Sequence, residues 1–342
     1  MDLAHTKIGI VGLGYVGLPI ALEFAKKYPV IGFDINKEKV EKLRQDTDPS
    51  TEIESSDLAA STVKFTYSKE DIADCNTYII AVPTPVDENK VPDLQHLKSA
   101  CQIVGTLLSK GDIAIFESTV YPGCTEEVCI PILEQISGLK YIEDFKVGYS
   151  PERINPGDKV RKITNVIKVV SATDEESLAY VSQIYTSIID AGVYEAASIK
   201  VAEAAKIVEN TQRNINIALM NELVMIFDKL DIDTNEVLAA ASTKWNFHPY
   251  YPGLVGGHCI DVDPYYLTYK AELEGHNPEI ILAGKRINSL IPGFIAKQVV
   301  KHLLKKEKIL SKSNILIKGV TYKENVSDHR NSKVIDLSLI HI

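Results

Sequence analysis

Residues 7–36 read KIGIVGLGYVGLPIALEFAKKYPVIGFDIN, and their reading decides the fold. The short apolar run Ile8–Val11 predicts a buried strand, a glycine turn follows, and a helix and a second strand complete the unit. Pro19 falls in the first turns of that helix, where a missing N–H does no harm. Gly12, Gly14 and Gly17 have GxGxxG spacing. The first glycine permits the tight turn, the second lets backbone approach a pyrophosphate, and the third allows close helix–strand packing. Tyr15 and Val16 lie in the same loop, and Asp34 closes the second strand. A carboxylate at that position accepts from the adenosine ribose hydroxyls and repels a 2′-phosphate, so the unit predicts NAD rather than NADP.

Further buried strands are predicted at NTYIIAVPTP, DIAIFEST, FKVGYSPER and TNVIKVVSA, separated by helix-length segments. This alternation indicates an α/β fold, an N-terminal Rossmann-type doubly wound parallel sheet whose functional loops lie at the carboxyl ends of the strands. After about residue 195 the texture changes to a long stretch without proline or internal glycine, which predicts one long helix or two in line. Three domains follow from this reading: an NAD-binding domain over residues 1–195, a central all-helical dimerisation domain over 196–305, and the start of a C-terminal α/β domain over 306–342. In the last of these, SNILIKGV predicts a strand, followed by a polar loop and the start of a helix.

The composition, 45% hydrophobic and 24% charged, is that of a soluble globular protein, and a net charge of −9 argues against nucleic-acid or anionic-membrane partners. The cysteines at 75, 101, 124, 129 and 259 are odd in number and lack CxxC spacing, which predicts reduced thiols rather than disulfides or structural zinc. The apolar N-terminus is broken by glycines and Pro19, and no window approaches the roughly 20 apolar residues of a membrane span. A cytoplasmic location is the expectation.

Residues 252–267, PGLVGGHCIDVDPYYL, allow three readings. A metal site built from His248, His258, Cys259 and Asp263 lacks any familiar tetrahedral spacing, so no metal is expected. A buried inert cysteine is the commonest fate of the residue type. A nucleophile is favoured by Gly256 and Gly257, which let backbone N–H groups approach a substrate, and by Asp263 nearby. The residues alone leave the inert and nucleophilic readings level. Upstream, Lys206 and Asn210 lie four apart and share one helix face, which by helix statistics reads as a solvated face. Glu152 and Arg153 stand at a probable strand end, where function is favoured over a surface salt bridge. A thiolate beside an NAD site could capture an aldehyde and pass a hydride on as a thioester forms.

Taken together, GIVGLGYVGLP, AVPTPVDENKVPDL, ESTVYPGCTEE, SPERINPGD, AEAAKIVENTQRNINIALMNEL, WNFHPYYPGLVGGHCIDVDPYYL and KGVTYKENVSDHRNS resemble the nucleotide-sugar 6-dehydrogenases. These are the UDP-glucose and UDP-N-acetylhexosamine dehydrogenases, and the match runs in family order over nearly the whole chain. The motif around Cys259 is most similar to the UDP-N-acetylglucosamine branch, since the UDP-glucose branch usually has serine where this chain has His258. The resemblance implies a four-electron oxidation of a UDP-sugar at C6, using two NAD and water, for surface polysaccharide precursors. It implies Cys259 as nucleophile, Lys206 with Asn210 at the oxyanion, and Glu152 as base in thioester hydrolysis. Thr119 and Asp263 would hold the water that takes the alcohol proton, and Thr84 would contact the cofactor. Lys323 and Arg330 would face substrate or cofactor, Arg153, Gly256, Gly257 and His258 would line the sugar site, and the long helices would form a homodimer.

Three departures from the family pattern bear on activity. Tyr251 stands where relatives often carry a basic residue, which affects one substrate contact. Asp261 replaces a small residue and adds negative charge near the thiol, an expectation that disfavours the thiolate. The family's UDP-binding domain ends here after one strand and part of a helix, which predicts a truncated member with a sound NAD half and impaired substrate binding. The competing functions are a UDP-glucose or UDP-N-acetylmannosamine dehydrogenase, a silent NAD-binding and dimerisation module, and a two-electron β-hydroxyacid dehydrogenase that needs no thiol.

Overall fold

The computed structural model describes residues 3–50, 53–154, 158, 160–257, 259–321 and 329–340. The chain divides into two compact units, residues 1–207 and 208–342. The first is built on strands β1 (Ile8–Val11), β2 (Val30–Phe33), β3 (Lys64–Thr66), β4 (Thr77–Ile80), β5 (Ile113–Phe116), β6 (Lys146–Tyr149), β7 (Lys168–Ala172) and β8 (Val193–Glu195). Their order in the sheet is β3-β2-β1-β4-β5-β6-β7-β8. β1, β4 and β5 are buried at every position, as continuous apolar strands must be when both faces of a parallel sheet are covered.

The covering helices are α1 (Gly17–Ala25), α2 (Lys37–Leu43), α3 (Ser55–Ala59), α4 (Gln95–Gly105), α5 (Ile130–Ser137) and α6 (Glu175–Thr186). Ile8, Ile10, Leu18, Phe24, Ile115 and Tyr185 belong to one apolar core. α6 is capped by Asp174, whose carboxylate accepts from the Ser177 N–H while the Ser177 hydroxyl accepts from the Asp174 N–H, so two otherwise orphaned donors are satisfied. Strand order reverses between β1 and β4, which places the ligand crevice beyond their carboxyl ends.

The last two strands, β7 and β8, depart from the parallel expectation, since β8 pairs parallel with β7 and both run against the other six. β7 pairs antiparallel with β6, with Gly148 opposite Ala172 and Tyr149 opposite Ser171. A parallel return needs a crossover element, normally a helix. Among the described residues between these strands only the short 3₁₀ turn Ile163–Asn165 forms. The reversal has a consequence for the site, because the first residue of β7 comes to lie at the edge where β5 and β6 end.

Helix α7 (Ile199–Leu230) runs unbroken for 32 residues, as its lack of proline and glycine predicts, and the division between the units falls within it. The second unit adds α8 (Thr234–Ala241), α9 (Asp263–Leu273), α10 (Glu279–Lys305) and α11 (Lys333–Ser338). α11 forms with Ser332 as its cap, but the strand expected at SNILIKGV does not. Leu316 is 79% exposed there, and among the described residues no strand pairs with this segment, as a stable strand requires. Among the described residues no helix is long and apolar enough to cross a membrane.

Candidate active site

In the first unit the candidate residues gather at the carboxyl ends of β1, β4, β5 and β6. Gly12 follows β1 with φ +95°, and a Cβ there would lie 2.7 Å from the Ala81 carbonyl oxygen beyond β4. A Cβ on Gly17 would lie 1.8 Å from the Gly12 oxygen, so the helix packs onto the turn with no room for a side chain. At Gly14 a Cβ would meet nothing within 4 Å, so this backbone borders open space. Tyr15 and Val16 are half-buried beside it. Asp34 anchors the loop: one carboxylate oxygen accepts from the Leu13 N–H at 3.0 Å and from Lys39 Nζ at 3.1 Å, the other from the Asn36 N–H at 2.9 Å. The open backbone at Gly14 over a helix N-terminus, with a carboxylate at the end of β2, fits the pyrophosphate and ribose of a dinucleotide.

The loops after β4 and β5 are laced together. Thr84 Oγ1 donates to the Thr119 carbonyl at 2.6 Å, and Ser118 Oγ donates to the Val82 carbonyl at 2.7 Å. Two neighbours that the sequence reading passed over surround Glu152. Continuing the β6–β7 register sets residue 152 across from residue 168. Lys168 Nζ donates to Glu152 Oε2 at 2.8 Å and to Glu117 Oε2 at 2.6 Å. The other Glu152 oxygen accepts from the Arg153 and Ile154 N–H groups at 2.6 and 2.7 Å. Tyr185 donates its hydroxyl to Glu117.

Burial pushes the Glu117 carboxyl up to about 7, against the pull of Lys168. Burial opposes ionisation of Glu152 as well, but there Lys168 and the two backbone donors outweigh it and hold the carboxyl below its ordinary range. Arg153 is half-buried, and one of its guanidinium nitrogens donates to the Ile167 carbonyl at 3.0 Å.

On α7, Lys206 is 9% exposed and Asn210 5%, so the solvated-face alternative for this pair is excluded. One turn earlier, Glu203 is buried and accepts from the Gly123 and Thr125 N–H groups at 2.5 and 2.9 Å. It ties α7 to the segment that follows Thr119.

In the second unit a ladder of asparagines on one face of α7 holds the cysteine loop. Asn210 Nδ2 donates to Asp263 at 2.5 Å, and Asn214 Nδ2 donates to the Ile260 carbonyl at 2.9 Å. Asn221 exchanges bonds with the Gly253 N–H and carbonyl at 2.8 and 3.0 Å. Asn288 of α10 accepts from Asn221 at 2.8 Å and donates to the Asn214 carbonyl at 3.1 Å. Of these only Asn210 was named from sequence. The spacing 210, 214, 221 was the available signal, since steps of four and seven keep one helix face.

Cys259 is half-buried, in no disulfide, and its carbonyl accepts from the Val262 and Asp263 N–H groups at 3.1 and 2.8 Å. Asp263 is the first residue of α9, where the helix N-terminus favours a negative charge.

The negative charge that Asp261 adds near the thiol is paired with a cation. Lys285 of α10 pairs with its carboxylate and donates to its backbone carbonyl at 2.5 Å, with the ammonium 4.3 Å from the centre of the Tyr265 ring. The paired glycines also acquire a local explanation. Gly257 has φ +84°, and a Cβ on Gly256 would lie 2.6 Å from the Asn331 carbonyl oxygen. Arg330 precedes Asn331 and is exposed, as is Tyr251, at 67%. His258 and Lys323 lie outside the described residues.

Comparison with known proteins bears on both units. Residues 6–189 match the NAD binding domain of the UDP-glucose/GDP-mannose dehydrogenase family, and residues 200–290 match its central domain. The chain is 54% identical over 332 residues to a UDP-N-acetyl-D-glucosamine 6-dehydrogenase of Pseudomonas aeruginosa, covering 97% of this chain and 79% of that one. It is 54% identical over 333 residues to the protein CapL of Staphylococcus aureus, covering 97% and 78%. A solved UDP-D-ManNAc dehydrogenase from Pyrococcus horikoshii superposes with a TM-score of 0.89 at 32% identity, over 97% of this chain and 80% of that one. A glycine loop built for a dinucleotide, in a chain of this likeness, makes the protein an NAD-dependent dehydrogenase. The chain belongs to the UDP-glucose/GDP-mannose dehydrogenase family.

Proposed function

We propose that the chain oxidises the C6 hydroxyl of a UDP-N-acetylhexosamine, with the gluco epimer favoured, to the uronic acid through a thioester on Cys259. The observation that carries this is the fastening of the Cys259 loop to α7 and α10 by Asn210, Asn214, Asn221 and Lys285. An inert cysteine needs no such framework. The 54% identity to a UDP-N-acetyl-D-glucosamine 6-dehydrogenase supports the choice of sugar.

The residue roles are those that the family resemblance implies. Gly12, Gly14, Gly17 and Asp34 would hold NAD with Tyr15, Val16, Thr84 and Arg330 beside it, and bound NAD supplies a two-electron hydride acceptor twice per turnover. Thr119 and Asp263 hold the water that takes the C6 hydroxyl proton as the first hydride leaves and an aldehyde forms. The Cys259 sulfur adds to the aldehyde carbon, and the Lys206 ammonium and the Asn210 amide stabilise the oxygen that becomes anionic. The second hydride leaves that carbon, giving the thioester. Glu152 then takes a proton from water, the new C–O bond forms, the C–S bond breaks, and Cys259 leaves as thiolate. Arg153, Tyr251, Gly256, Gly257, His258 and Lys323 are assigned to the nucleotide sugar.

The domain organisation we propose is an NAD-binding domain to residue 195, a helical domain to residue 305 and the beginning of a UDP-binding domain beyond it. A cytoplasmic homodimer through α7 fits its half-exposed apolar stripe of Val201, Val208, Leu219, Ile226 and Leu230. The test is stoichiometry: two NADH per UDP-sugar, with Cys259→Ser yielding no uronate. Normal uronate from that variant excludes the thioester. A panel of UDP-N-acetylglucosamine, UDP-N-acetylgalactosamine, UDP-N-acetylmannosamine and UDP-glucose assigns the sugar. NAD binding with no UDP-sugar binding favours the silent dimerisation module instead.

A further inference from the structure

Three ionisable groups, Glu117, Lys168 and Glu152, are enclosed where β5, β6 and β7 meet, and the scheme above uses only the last. Their side chains are 0%, 2% and 8% exposed. We propose that Lys168, backed by Glu117 and Tyr185, is a positioning residue that keeps the Glu152 carboxylate ionised and aimed for the hydrolytic half of the reaction. This rests on the reading of Glu152 as the base.

The argument begins with geometry. A carboxylate offers about four lone-pair sites. Three of those on Glu152 are taken, by the Arg153 and Ile154 N–H groups on one oxygen and by Lys168 on the other. The orientation of the remaining site is thereby fixed, so a proton can be accepted from one direction only. Lys168 is in turn aimed by Glu117, and Glu117 by the Tyr185 hydroxyl from α6. The Lys168 ammonium also lies 5.6 Å from the centre of the Tyr185 ring. Because Glu117 stands two residues before Thr119, the same ammonium joins the loops that carry two of the proposed catalytic groups.

Charge sharpens the point. Two carboxylates and one ammonium out of water are a poor source of stability, since desolvation offsets much of their attraction. Titratable groups arranged this way at strand ends are characteristic of functional sites. The groups that face Glu152 and Glu117 are Lys168 from β7, Tyr185 from α6, each other, and the backbone donors of residues 153 and 154, while the Ser150 hydroxyl donates to the Val169 carbonyl. Burial raises the Glu117 carboxyl to about 7, so below that pH the excess negative charge is relieved there and Glu152 is the ionised member.

The test reads the Glu152 charge directly in the full chain. Glutamate is labelled with ¹³C at the carboxyl, and the Glu152 resonance is assigned by its loss in Glu152→Gln. In the wild type it stays ionised through neutral pH. In Lys168→Met its midpoint rises by about one to three pH units, the usual effect of losing an adjacent cation. Lys168→Arg restores it, and Glu117→Gln, which replaces a carboxyl already neutral where Glu152 titrates, leaves it close to the wild-type value. If Lys168→Met does not fold, Lys168→Gln, which keeps a donor without the charge, carries the same expectation.

A folded variant without Lys168 whose Glu152 midpoint stays in place overturns the proposal. In turnover, Lys168→Met should accumulate a covalent adduct on Cys259, seen by intact mass, and lose it as the pH is raised. Failure of the underlying reading looks different: Glu152→Gln would release uronate at the wild-type rate, whatever the titrations show.

Discussion

Replacing Glu203 by glutamine isolates the cost of one buried charge. Glu203 is fully enclosed on α7, three residues before Lys206, and its carboxylate accepts two backbone N–H groups, from Gly123 and Thr125. Burial raises its carboxyl from the ordinary 4.5 to about 7, against the pull of those donors. Between those two values the unfolded chain has released a proton that the folded chain still holds. The stability this carboxyl confers is therefore complete below pH 4.5, falls as pH rises, and is gone above about pH 7. At ~1.4 kcal/mol per pH unit, the span is worth about 3 kcal/mol, of which some 2–3 kcal/mol falls between pH 5 and 8.

Glutamine never ionises, and its single carbonyl oxygen leaves one backbone donor poorly served. That penalty is the same at every pH, so only the slope reports the charge. Urea unfolding followed by far-UV circular dichroism gives the comparison. Relative to the wild type, Glu203→Gln should gain about 2–3 kcal/mol between pH 5 and pH 8. A difference between the two proteins that does not change with pH would refute the reasoning.

Two further perturbations are as direct. Gly17→Ala sets a methyl 1.8 Å from the Gly12 oxygen, a backbone clash that no rotamer relieves. It should cost about 3 kcal/mol or more, with a lowered Tm and loss of NAD binding by calorimetry. Lys285→Met leaves the Asp261 carboxylate uncompensated near the thiol. Alkylation of Cys259 at neutral pH should slow by roughly 3- to 10-fold, with Lys285→Arg reacting at the wild-type rate.

The dinucleotide half of the molecule was legible because its signals are local. The strand Ile8–Val11, the three glycines and Asp34 fall within one strand–turn–helix–strand unit, and each constrains the backbone of its neighbours. The long helix α7 was legible for the same reason. The Lys168 cluster was not, because VIKVVSA reads as an ordinary strand and the partners stand 51 and 16 residues away. The antiparallel turn of β7 that brings them together has no signature in residue type, since strand direction is decided by what the connection can pack against. SNILIKGV misleads in the opposite way: its composition favours a strand, but a strand forms only against a neighbour. Asp261 looked like a liability until Lys285, on another helix, was seen to share its charge.

The asparagine ladder has a consequence for how substrate choice can be altered. At Gly253 and Ile260 its rungs grip peptide N–H and carbonyl groups, which every non-proline residue presents alike. The fastening is therefore indifferent to the side chains strung between them. Leu254, half-buried, and Tyr251, exposed just outside the clasp, can be rewritten while the proposed nucleophile stays anchored, whereas Val255, 4% exposed, belongs to the packing and is left alone. Variation at these two positions would then leave the backbone clasp between α7 and the cysteine loop in place.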